Sequence, residues 1–117
     1  MYKRQQQYLI NLNLLQPGNT THGLNLRAFE IPCAGGLATY PDVPDLARSF
    51  VPGREVLVYQ SARQLLEIVQ SIQRDPALAL AVTTAGHQRV MLEHTFFHRA
   101  VTILTDWHRP AASPAPP

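Results

Sequence analysis

The 117-residue chain holds a single cysteine, Cys33. No internal disulfide can form, and a lone thiol fits a reducing, cytoplasmic setting. Long apolar runs are absent as well: none approaches the roughly 18 residues that a membrane span needs. The start "MYKRQQQYLINLNLL" carries basic residues, but Asn11 and Asn13 break its apolar run. It also lacks a small-residue cleavage site, so it does not read as a secretory signal. Charge is sparse, at 15% of residues with a formal net charge of +2. Lys3-Arg4 is the one contiguous Lys/Arg pair, and the arginines from Arg27 to Arg99 are scattered. A clustered basic face, the mark of a nucleic-acid binder, is therefore excluded.

What is present is enough apolar residue, 45%, for one modest core in one domain. The expected layout is a flexible N-terminus over 1–7, a domain over 8–108 and a disordered Pro/Ala-rich tail over 109–117. Tyr8 to Leu14 reads as a first strand, followed by turn chemistry in "QPGNTTHG". Leu24 to Cys33 reads as a helix with Leu26, Phe29 and Cys33 on its apolar face, ended by Gly35-Gly36. Gly36 to Tyr40 and Val56 to Tyr59 read as two further strands, with one helical turn in "PDVPDLARSF" between them. Ser61 is placed to cap a helix over 62–74 through Leu65, Leu66, Val69 and Ile72. Asp75-Pro76 restarts the chain into a helix over 77–92, and Thr95 is placed to cap a fourth helix in which Phe97, Val101 and Leu104 share a face. Alternating strands and helices predict an α/β fold with a short parallel sheet of about three strands and extra C-terminal helices. So few strands predict a sheet with uncovered edges and faces.

The stretch "HGLNLRAFEIPCAGG", residues 22–36, carries the candidate site. A Gly- and Asn-containing turn from strand into helix presents amides without carbonyl partners, which favours an anion. Gly23 and Asn25 let a phosphate come close, and Arg27 can fork onto phosphate oxygens. Glu30, one turn later, can accept two hydrogen bonds from a diol such as a ribose. The same spacing also fits an Arg27–Glu30 surface ion pair, worth a few tenths of a kcal/mol.

Five ordered blocks carry a resemblance: "LNL" (12–14), "NLRAFEIPCAGG" (25–36), "FVPGREVLVY" (50–59), "LLEIV" (65–69) and "AGHQRVMLEHTFFHRA" (85–100). From about Tyr8 to Trp107 the chain resembles the nucleotide-sugar-binding C-terminal part of two-domain, GT-B type group 1 glycosyl transferases, in particular the spore-maturation CgeB-like group. The resemblance implies a partial Rossmann-like fold. It implies that His22, Gly23, Leu24, Asn25 and Arg27 approach the diphosphate of a UDP- or GDP-linked sugar, and that Glu30 meets the ribose. It implies no cofactor beyond that donor substrate. Many retaining relatives carry two glutamates eight positions apart; here the partner position of Glu30 is His22. The acceptor-binding domain and the strand–helix part that encloses the base are not among these residues. The resemblance therefore implies a truncated form that binds the donor without transferring sugar alone.

The other constellations have plainer readings. Glu93, His94 and His98 are close enough to suggest a metal, but capping and packing account for them. Asp42 and Asp45 beside prolines read as turn residues rather than an acid–base pair. Cys33 among apolar neighbours reads as a buried thiol, and His87 and His108 as surface residues. Phe96, Phe97 and Trp107 read as helix-face core or as an interface. The alternative to donor binding is a noncatalytic interaction module, a homodimer or one that completes a split partner, because uncovered strand edges and apolar faces need covering.

Overall fold

The computed structural model describes residues 9–14 and 24–110. The expected flexible N-terminus, the turn holding His22 and Gly23, and residues 111–117 of the tail lie outside the described residues. Strands β1 (Asn11–Leu12), β2 (Ala38–Pro41) and β3 (Leu57–Tyr59) form one sheet in the order β1-β2-β3. Every pairing is parallel, with Asn11 opposite Ala38 and Thr39 opposite Leu57. Parallel neighbours require crossovers. Helix α1 (Arg27–Cys33) lies between β1 and β2, and α2 (Leu46–Ser49) between β2 and β3. Helices α3 (Ala62–Arg74), α4 (Pro76–Glu93) and α5 (Phe96–Trp107) follow. This is the α/β, partial Rossmann-like arrangement that the sequence implies.

Local chemistry sets the boundaries. Gly35 has φ 76°. It closes α1 in a Schellman motif, donating to the Pro32 carbonyl at 3.0 Å while Gly36 donates to that of Ile31 at 2.9 Å. The start of α1 lies at Arg27 rather than Leu24. The amide of Asn25 donates to the Tyr40 hydroxyl at 3.1 Å, which holds residues 24–26 in a turn. Ser61 Oγ accepts from the Gln64 amide at 3.2 Å, and Asp75 Oδ1 accepts from that of Ala77 at 3.1 Å. Both caps fall where the serine and the Asp-Pro pair predict them.

Strand alternation sends side chains to two faces. On one face Ala38, Tyr40 and Val56 pack with Ala28 and Ile31 of α1, Val43, Leu46, Phe50 and Val90. On the other, Leu37 and Leu57 pack with Ile72 of α3 and Val82 of α4. Residues of β2 and β3 are thus packed on both faces, Val82 and Val90 of α4 each joining one core, whereas Leu12 of β1 is 44% exposed, so the expected open apolar surface remains at that strand. The apolar face assigned to α1 is also corrected. Ala28, Ile31 and Pro32 are buried, whereas Leu26 and Cys33 are exposed. The residues facing the sheet are offset by one or two positions from the spacing of Leu26, Phe29 and Cys33.

Val82, Gly86 and Val90 form one stripe along α4, at intervals of four residues. Val82 joins one core and Val90 the other. Between them α4 crosses the backbone that enters β3, where a Cβ on Gly86 would collide with the Glu55 carbonyl oxygen. The crossing is latched beside that contact. Arg89 Nε donates to Glu55 Oε1 and Oε2 at 3.1 and 3.0 Å, and Arg89 Nη1 donates to Glu93 Oε2 at 2.8 Å. Glu55 Oε2 also accepts from the Val51 amide at 2.8 Å, closing the Pro52-Gly53 turn, where Gly53 has φ 82°.

Gly86→Ala must push α4 off β3, so it should cost about 1–3 kcal/mol by urea denaturation. The hydrogen bond from Arg89 holds the Glu93 carboxyl below its ordinary range. A depressed carboxylate pKa adds stability above the unfolded value of about 4.3, and that stability is lost as pH falls. Arg89→Met should therefore flatten the acid limb of the stability profile, read by denaturation between pH 3 and 7.

Candidate functional site

Ligands of parallel α/β sheets gather at the carboxyl ends of the strands. Here that edge is tied together by a polar network. Asn13 follows β1 and is fully buried. Its side-chain amide and that of Asn25 exchange two hydrogen bonds, each of 2.9 Å. Asn25 Oδ1 also accepts from the Ala28 amide at 3.3 Å, which caps the first turn of α1. The Tyr59 hydroxyl, at the end of β3, donates to the Asn13 carbonyl at 3.1 Å. Burial, and secondly its neighbour Tyr40, push the Tyr59 phenol above its ordinary pKa. It stays a neutral donor at neutral pH, and the link weakens only as pH rises past the usual tyrosine range.

This network fixes where α1 begins, and so where Arg27 and Glu30 stand. Arg27 is exposed, and Glu30, one turn on, is half-buried. They form no ion pair with each other. The described ion pairs join Arg48 to Asp45, Arg63 to Glu67, Arg89 to Glu55 and Glu93, and Arg109 to Asp106. Among the described residues, neither Arg27 nor Glu30 has a side-chain partner. The surface ion pair that their spacing allows is absent. Leu24 and Asn25 stand beside them in the turn; the side chain and backbone amide of Asn25 are already engaged. His22 and Gly23 lie outside the described residues.

Glu30 also borders a cleft of about 260 Å³ between α1 and the start of α5. Leu26, Phe29 and Cys33 line it from α1, with Val90, His94, Phe96 and Arg99 opposite. The Arg99 guanidinium lies 5.2 Å from the centre of the Phe29 ring, a cation–π distance. Phe29, Phe50 and His94 form a cluster of rings 5.2 to 5.6 Å apart. Cys33 is thus on a cleft wall and exposed, not the buried thiol expected from its neighbours.

His87, His94 and His98 make structural contacts. His94 Nε2 lies 2.8 Å from the Ser49 carbonyl, and His87 Nδ1 lies 3.1 Å from that of Pro32. His87 is half-buried in α4 rather than a free surface group. His98 Nδ1 accepts from the Thr95 amide at 3.2 Å and caps α5. No described group of three or more His, Cys, Asp or Glu side chains is placed to hold a metal ion. Asp42 Oδ2 accepts from Gln60 Nε2 at 2.8 Å, and Asp45 pairs with Arg48 at 3.4 Å.

Asn13, Tyr40 and Tyr59 are the participants that the sequence did not mark. Asn13 reads there as an interruption in an apolar run. A polar residue closing one strand, matched by another at the next helix start, is the signal that points to such a pair.

A family profile described as glycosyl transferase-like matches residues 1–105. No curated protein and no solved structure matches the chain.

Asn13→Ala removes a fully buried partner and leaves the half-buried Asn25 Nδ2 without its acceptor, and should cost about 1–3 kcal/mol by urea denaturation. Arg27→Ala and Glu30→Ala, which break no described side-chain contact, should each shift stability by less than about 0.5 kcal/mol.

Proposed function

The chain belongs to the glycosyl transferase-like family, and from that premise we propose that it binds a nucleoside-diphosphate sugar, Arg27 at the diphosphate and Glu30 at the ribose. The observation that carries this reading is that both side chains are without a described partner, at the helix start held over the carboxyl edge of a parallel sheet. Sparse charge elsewhere in α1 makes an unpaired Arg and Glu hard to explain by packing. A guanidinium offers a planar fork of donors to phosphate oxygens. Glu30 is half-buried and its carboxylate accepts from no described donor; the two hydroxyls of a ribose would supply donors. Donation to the diphosphate comes from Arg27 and from the amides of Leu26 and Arg27, which donate to no described residue. Asn25 acts one step back: its amide holds Tyr40 and its side chain holds Asn13.

In sugar transfer the bond from the anomeric carbon to the phosphate oxygen breaks, and negative charge grows on the departing diphosphate. Cationic and N–H donors fixed in advance stabilise that charge. Transfer also needs an acceptor hydroxyl held against the donor. The function proposed for this chain by itself is donor binding without turnover.

Calorimetric titration with UDP, GDP and inorganic pyrophosphate tests the assignment. Saturable heat is expected with a nucleoside diphosphate, and Arg27→Ala should weaken it at least about tenfold, the loss of one charge-assisted contact. Glu30→Gln should weaken UDP or GDP but leave pyrophosphate unchanged. Absence of heat from the folded chain with all three, or equal binding by wild type and Arg27→Ala, would refute the reading.

A further inference from the structure

Helix α5 contains no buried residue. Phe96 is 83% and Trp107 81% exposed, and Phe97, Val101, Ile103 and Leu104 are exposed too. At about 100° per residue these six side chains, with Ala100, fill one arc of roughly 160°. His98, Arg99, Thr102, Thr105 and Asp106 occupy the rest of the circumference. An apolar stripe of that width marks a helix that packs against something, yet among the described residues nothing packs on it. With roughly 200 Å² for each fully open aromatic, the stripe presents about 800 Å². That exceeds the largest apolar patch of a typical monomer, about 300–600 Å². It also equals the roughly 800 Å² per partner of a stable protein–protein interface.

Two features of this chain point to a second copy as the occupant. Phe96 and Trp107 stand at opposite ends of the stripe, and Phe96 also borders the cleft between α1 and α5. In an antiparallel pair about a two-fold axis, each Trp107 lies level with the other copy's Phe96, at the mouth of that cleft. The cleft, about 260 Å³ and lined mainly by apolar side chains, has room for an indole. The flank of the stripe is complementary as well. Arg99 and Asp106 lie on the same side of α5, one near each end. The two-fold brings each Arg99 beside the other copy's Asp106, which within its own copy pairs with Arg109 at 3.4 Å, so two opposite-charge contacts lie along one flank of the seam.

We propose that α5 pairs antiparallel with α5 of a second copy, each Trp107 entering the other copy's cleft between α1 and α5. The interface is isologous and closed, so it ends at a dimer rather than a filament. It rests on the exposed face of α5 and not on the donor reading.

Trp107 is the only tryptophan, so its fluorescence reports on the seam directly. Sedimentation over low to tens of micromolar should show a reversible monomer–dimer equilibrium around the 13.1 kDa chain. Trp107 emission should shift to the blue as the dimer forms. Trp107→Ala should weaken dimerisation at least about 30-fold, as for a central aromatic anchor. Ile103→Glu should leave a monomer whose Trp107 emission stays solvent-exposed at every concentration. Both changes sit on an uncovered face, so circular dichroism should show an intact fold. Arg27→Ala should dimerise as wild type does, which separates this proposal from donor binding. A strictly monomeric wild type, open-ended oligomers, or a dimer in which Trp107 stays solvent-exposed or both substitutions are without effect would overturn it.

Discussion

The structure depends on one close approach, that of α4 to the backbone entering β3. Gly86 has no side chain, so the helix can lie directly on the Glu55 carbonyl. From that contact one end of α4 carries Val82 into one core and the other carries Val90 into the second. A single helix thereby joins the two cores, packing on α1 and α3, which lie on opposite faces of the sheet. The Glu55–Arg89 pair fixes the angle of crossing, because the carboxylate also holds the Val51 amide of the turn that feeds β3. Phe50 to Glu55 and Gly86 to Val90, inside the blocks "FVPGREVLVY" and "AGHQRVMLEHTFFHRA" that carry the family resemblance, are the two halves of this latch. Their chemistry is architectural.

At the other end of the strands a second polar device works in the same way. Asn13, Asn25, Tyr40 and Tyr59 satisfy one another and join the ends of all three strands to the start of α1. Asn13 and Tyr40 are fully buried, where polar groups need partners, and these hydrogen bonds hold the turn against the strand ends. Arg27 and Glu30 stand just beyond it without described partners. The division of labour is physical: the buried amides and phenols hold the turn, and the unpaired charges are left for something else.

The chain leaves apolar surface open beside β1, at Leu12 and Leu14, and more of it on α5. Leu26 and Cys33 line a cleft instead of facing the strands, Phe29 borders it while packing against the core, and the stripe on α5 continues from that cleft. The charged pair of α1 and the apolar stripe of α5 meet at Glu30 and Phe96. The donor reading and the dimer proposal therefore share Glu30, the proposed ribose contact that also borders the cleft entered by Trp107, while Arg27 belongs to the first alone.

Much of this was legible from residue order alone. The Ser61 and Asp75-Pro76 caps, the Gly35-Gly36 stop, the parallel α/β order and the family blocks are local or pattern signals, written in neighbouring residues. Arg27 and Glu30 stood out for the same reason, as charges in an apolar segment. Which face of α1 is buried, the exposure of Cys33, and the ring-to-carbonyl contacts of His87 and His94 were decided only in three dimensions. Each depends on a partner some 45 to 55 residues away, or on an offset of one or two positions that helical periodicity does not resolve. The Asn13–Asn25 pair and the Glu55–Arg89 latch, whose members are 12 and 34 residues apart, also form only once the chain is folded. Sequence determined which chemical groups were available and which elements they would form; tertiary packing decided which groups were consumed in holding the fold and which were left unpaired.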